Sequence, residues 1–184
     1  MIDFERLSSP LDIKQIDFRI QSINKGGYAT ILAYKDARVD INRLNAVCGH
    51  LGWQRAHSRD NHNCTVSIWD EENRQWVSKE DTGTESNSDA QKGLASDSFK
   101  RACFNWGIGV ELYDYPVIQV KLNDNEWEMR NYGGKDKPTA TWNLKLREWI
   151  WYSEFEDGKL ICLAAKDNGG KVRFVFGKSK KVKE

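Results

Sequence analysis

Residues 79–115, KEDTGTESNSDAQKGLASDSFKRACFNWGIGVELYDY, decide how this chain is read. The segment opens acidic and rich in Gly and Ser. A helical pattern follows over 89–106, in which Ala95, Phe99, Ala102, Cys103 and Trp106 recur at helical spacing and define one apolar stripe. Lys100 and Arg101 fall off that stripe, on either side of the outward face that also carries Asp97. The segment closes on the turn Gly107-Ile108-Gly109. Two adjacent cations on a helix held by its apolar face suit a phosphate backbone, because phosphate contacts position a nucleic acid without reading its sequence. The same pair also fits a plain solvated helix face, so charge pattern alone does not decide.

Working outward, the apolar-rich runs 16–23 and 28–34 flank Asn24-Lys25-Gly26-Gly27, a hairpin signal. Residues 2–15 read as a short helix and a loop broken at Pro10. Asp36 is placed to cap a helix in which Ile41, Leu44, Val47, Cys48 and Leu51 share a face. Strands are expected at 52–58, 63–70 and 75–80, with Glu71-Glu72-Asn73 as the tight turn between the last two. A flexible loop, 82–88, leads into the long helix. Beyond Pro116 a strand is expected over 117–122. Residues 133–141, GGKDKPTAT, read as a mobile internal boundary. A meander is expected from 148–155, 159–165 and 171–176. This order predicts an α+β fold: an antiparallel β-β-β-α core with an N-terminal hairpin and helix, plus a small C-terminal β appendage. The expected division is 1–116 for the core, 117–176 for a β-rich extension and 177–184 for a disordered basic tail.

With 184 residues, 39% hydrophobic and 30% charged, the chain has the composition of a soluble globular protein. No apolar run reaches the length of a transmembrane helix, and the N-terminus lacks the pattern of a secretory signal. The four cysteines form no CxxC pair, which favours reduced thiols in a cytoplasm over disulfides. A formal net charge of +1 excludes a uniformly basic nucleic-acid binder. Between Asp70 and Asp97 acids outnumber bases eight to three, so a DNA site has to be a local stripe of cations. Most of the eight tryptophans are expected in the core or at interfaces.

Several short motifs fail on context. Asp81-Thr82-Gly83 matches the aspartic-protease tripeptide, but Lys79 and Glu80 precede it where a buried apolar strand is required. Gly177-Lys178-Ser179 ends like a phosphate loop, yet Val172 stands where its first glycine belongs and no helix can follow. The turn at Gly107 and Gly109 follows a helix and is no dinucleotide fingerprint. His57, His62 and Cys64, with Cys48 and His50, lack the tight ligand spacings of structural zinc. Asp81 and Glu85 are the acids from which a Mg²⁺-dependent nuclease would be built, and a non-DNA interaction module is the other rival. No cofactor, resident metal or catalytic group is expected. Lys25, Tyr28, Lys35 and Arg38 gather near the hairpin and the next helix start, and Lys92 lies two turns before Lys100. Cations interleaved with aromatics suit single-stranded nucleic acid.

Three blocks together resemble the Rad/Sak single-strand annealing proteins, the eukaryotic strand-annealing protein of double-strand-break repair and its bacteriophage relatives. They are YKDARVDINRLNAVCGHLGW at 34–53, WVSKEDTGTE at 76–85 and KGLASDSFKRACFNWGIGVELY at 92–113. The opening FERLSSPLDIKQIDFRIQS is similar to the phage branch, and the likeness spans roughly 4–115. The resemblance implies a homo-oligomeric ring that binds single-stranded DNA in a groove without ATP and anneals complementary strands in recombination and repair, encoded by a phage and acting in the cytoplasm of its bacterial host. It implies that Lys100 and Arg101 hold the DNA backbone at the floor of the groove. Lys92, Arg38, Lys35 and Lys25 are carried over as further DNA-binding residues. Phe104 stands where the eukaryotic members carry another basic residue, so their outer duplex site is not carried over. Residues beyond 116 are open between an oligomer contact and a docking site for an exonuclease or single-strand-binding protein.

Overall fold

The computed structural model describes residues 2–84 and 90–180, apart from the side chains of 90–92. In chain order the elements are α1 (Phe4–Ser8), β1 (Ile16–Ile23), β2 (Tyr28–Lys35), α2 (Ala37–Cys48), β3 (Trp53–Ser58), β4 (Asn63–Asp70), β5 (Gln75–Thr82), α3 (Ala90–Phe104), β6 (Ile118–Lys121), β7 (Trp127–Tyr132), β8 (Lys135–Ala140), β9 (Ile150–Glu156), β10 (Lys159–Lys166) and β11 (Val172–Gly177). The fold is α+β. No helix among the described residues is long and apolar enough to cross a membrane.

The chain forms two compact units. One comprises the described residues of Met1–Leu11 and Lys35–Val110; the other, those of Asp12–Tyr34 and Glu111–Glu184. In the first, β3, β4 and β5 form an antiparallel sheet in that order. Alternation along β4 turns Cys64, Val66 and Ile68 to one face, all essentially buried. Phe99, Ala102 and Cys103 of α3 and Trp106 in the turn after it cover them, with Leu44 of α2 and Leu7 of α1 completing the cluster. Asp36 caps α2 by accepting the Arg38 amide, as the sequence predicts. Arg43 ties α1 to α2 by donating to the carbonyls of Arg6, Leu7 and Ser9.

In the second unit β1, β2 and β6 form one sheet, β9, β10 and β11 another, and β7 and β8 a two-stranded ribbon. Ile31 of β2 pairs with Ile118 of β6, and both are buried. Phe18 and Trp151 stack face to face at 3.6 Å, and Trp149 stacks beside Trp151. Arg173, almost fully buried, bridges both oxygens of Glu126 and reaches Asp167.

Three expectations differ from this architecture. The N-terminal hairpin, read as part of the 1–116 core, groups with the C-terminal strands because β2 finds its second neighbour in β6. Residues 133–141, read as a mobile boundary, supply the turn and second strand of the β7–β8 ribbon. Lys135, Asp136 and Pro138 are poor strand formers, and Pro138 is tolerated because the ribbon has open edges. Of the tail expected to be disordered, Ser179 donates to Glu154 and Lys180 pairs with Glu156; residues 181–184 lie outside the described set. The loop expected at 82–88 is described only as far as Thr84.

Candidate nucleic-acid interface

The register of the β3–β5 sheet sorts its side chains. Arg55, Val66 and Lys79 lie in one row across the strands, and His57, Cys64 and Asp81 in the next. These rows face α3. The Arg55 guanidinium lies 4.6 Å from the centre of the Phe99 ring, and Lys79 Nζ lies 4.4 Å from that of Trp106. The opposite face is a polar ladder in which Glu80 accepts from Asn63 and Thr65, and the Ser67 and Ser78 hydroxyls bond each other.

The placement of α3 on this sheet depends on Gly83. A Cβ there would lie 2.6 Å from the Ser98 nitrogen and 3.0 Å from the Leu94 carbonyl oxygen, so the chain leaving β5 crosses against the helix backbone itself. Ser98 adds an anchor by donating to the Asn61 carbonyl at 2.9 Å. The buried stripe includes Leu94 and Ser98, while Ala95 is only half-buried.

Lys100 and Arg101 are half-buried on α3, away from the core cluster. Arg101 Nε lies 3.6 Å from Asp81 Oδ1, an ion pair with both side chains about a third exposed. Asn105, one turn further, donates to the Glu80 carbonyl, and its own carbonyl accepts from Lys79 Nζ at 2.6 Å. Lys79, Asp81, Arg101 and Asn105 therefore border α3 along β5. The sequence reading left Lys79 and Asn105 out; the period-two pattern of β5, which puts Val77, Lys79 and Asp81 on one face, was the available signal. Lys100 lies on the α2 side: Asp36 is held below the ordinary carboxylate range mainly by its bonds with Arg38, to which the Lys100 charge adds, and at Asp40 the same charge opposes the dominant effect of burial.

The other expected DNA contacts separate. Arg38 is exposed and pairs with Asp36. Lys25 is exposed in the β1–β2 turn, in the other compact unit. The side chain of Lys92 lies outside the described residues. Lys35 is a correction: expected on a DNA-binding surface, it is only 2% exposed. Its Nζ donates to Asp40 and to the Ile108 carbonyl and sits 4.1 Å from the centre of the Phe104 ring. The buried turn Gly107-Ile108-Gly109, both glycines at positive φ, brings that carbonyl back to Lys35. A cation so enclosed cannot meet a phosphate.

Burial dominates the electrostatics of this pocket. It raises Asp40 to about 6 against the opposing pull of Lys35, and it raises Cys103 well above the ordinary thiol range. Cys64 is pushed up to about 11 by the same cause, so neither thiol is a thiolate nucleophile at neutral pH. Among the described residues no three His, Cys, Asp or Glu side chains come together to hold a metal. His57 faces Ser98, and His62 bonds the Arg59 carbonyl. Glu85, partner of Asp81 in the nuclease reading, lies outside the described residues. No protein-family model matches the chain, and no curated protein sequence matches it.

Proposed function

We propose that this protein binds single-stranded DNA and anneals complementary strands, without ATP and without making or breaking covalent bonds, as a homo-oligomeric ring in phage recombination and repair. The observation that carries this reading is the adjacent pair Lys100 and Arg101 on a helix fixed to an antiparallel β-β-β sheet. Annealing needs a surface that neutralises phosphates while leaving base edges free, and backbone cations meet both needs. Repetition around a ring raises a weak site to useful avidity, which reconciles DNA binding with a protomer of net charge +1. The blocks shared with the Rad/Sak annealing proteins add to this reading, and Lys79 extends the cationic border of α3.

The Lys100→Ala/Arg101→Ala double variant is expected to keep its fold and lose affinity for a labelled oligonucleotide in fluorescence anisotropy; unchanged affinity refutes the proposal. Asp81→Asn separates it from the nuclease reading. Freed of its carboxylate partner, Arg101 is fully available to phosphate, and affinity rises by up to about fivefold, the scale of an exposed ion pair. A nuclease dependent on Asp81 would instead lose Mg²⁺-dependent cleavage.

A further inference from the structure

Among the described residues, the β7–β8 ribbon presents one face with more cations than carboxylates. Its register places Glu128 opposite Thr139, Arg130 opposite Lys137 and Tyr132 opposite Lys135, all on one side. Arg130 and Lys137 are thus like charges directly across a strand pair, an arrangement that destabilises a ribbon. Glu128 relieves part of it through a 2.5 Å contact with Arg130 Nε. Three cations and one carboxylate remain on a face where residues 128–137 are all exposed, with half of the Tyr132 surface in solvent. The opposite face anchors the ribbon: Trp127 packs on Gly27, and Asn131 donates to Asp136 at 2.8 Å. The base is closed by the Thr141 amide on the Glu126 carbonyl. An isolated two-stranded ribbon is marginal in water, so a like-charge pair on it is a cost that an anionic ligand removes.

We infer that this face is a second single-stranded DNA contact. It rests on the annealing reading and adds to it a DNA site beyond residue 116, where the sequence reading left an oligomer contact and a protein-docking site open. Lys135 and Lys137, two apart on β8, take successive phosphates, Arg130, across the ribbon from Lys137, takes a third, and Tyr132 offers a ring for one base. Residues two apart on a strand lie about 6.6 Å from each other, a step suited to the phosphates of an extended strand. Cations with an accessible aromatic are the chemistry of sequence-tolerant single-strand binding.

The test compares salt dependence of oligonucleotide binding for the full chain, Arg130→Ala/Lys135→Ala/Lys137→Ala, and a control that removes equal charge from exposed positions elsewhere in the same unit, Lys14→Ala/Lys159→Ala/Lys166→Ala. The log–log slope should fall by about 2 in the ribbon variant, from about 0.7 per phosphate contact, and stay unchanged in the control. Tyr132→Ala should weaken binding by about tenfold and Tyr132→Phe should retain it. Equal slopes in the two triple variants overturn the ribbon contact and leave the annealing reading standing if the Lys100/Arg101 variant still fails to bind. A wild-type protein that binds no oligonucleotide overturns both.

Discussion

Four methylenes let Lys35 reach from the end of β2 to Asp40 on α2, and burial makes that meeting consequential. Removing one member leaves the other charge enclosed without its counter-ion, whereas removing both leaves an apolar pocket. Lys35→Met and Asp40→Leu should each cost about 3–5 kcal/mol in urea unfolding, and the double variant should be more stable than either. The pH dependence has a definite sign. Because burial raises Asp40 to about 6, the folded state holds its proton more readily than the unfolded chain. That contribution is fully present in acid, below the ordinary carboxylate range, and is lost as pH rises through about 6. The stability of wild type minus that of Asp40→Asn should therefore shrink across this window; a difference that grows with pH contradicts the placement of Asp40. Lys35 looked like Lys100 in the sequence because both are lysines close to a cap or a helix face. Only the return of the chain at Gly107 and Gly109, from more than seventy positions away, encloses one and not the other.

Among the elements, α3 shows how far a pattern can be read. Phe99, Ala102, Cys103 and Trp106 were legible as a stripe because helical spacing is local. Leu94 and Ser98 continue that face at i+4 spacing to Ala102, but a serine is no apolar signal, and what covers the two is a distant residue: Gly83 brings the backbone against them. Gly83→Ala should cost about 1–3 kcal/mol through overpacking, detected as a lower urea midpoint with an unchanged slope. A midpoint equal to wild type would mean that α3 does not need this approach. The β7–β8 ribbon was missed for the converse reason. Its strands carry residues of low strand propensity, and pairing across the Gly133-Gly134 turn overrides that local preference.

At the scale of the whole molecule, the α+β class and the β3–β5 meander followed from sequence, whereas the partner of the N-terminal hairpin did not. Pairing between β2 and β6 joins residues some ninety positions apart, and neither strand announces the other. A chain ending at residue 116 would lack β6 and the meander, leaving Ile31, Phe18 and Ile20 without the residues that cover them. Such a truncation should bind the dye ANS strongly and aggregate, while the full chain does neither; a monomeric truncation that ignores the dye would refute this organisation. The tie between Lys35 and the Ile108 carbonyl has a kinetic meaning as well. It closes a loop of 73 residues, nearly the whole first unit, and contacts of such long separation are expected to form late in assembly. Interactions absent from the transition state govern how fast a protein comes apart. If the buried lysine that cannot grip DNA is a latch on unfolding, Lys35→Met should speed unfolding far more than it slows refolding, shortening how long the sheet and helix that carry Lys100 and Arg101 persist once formed.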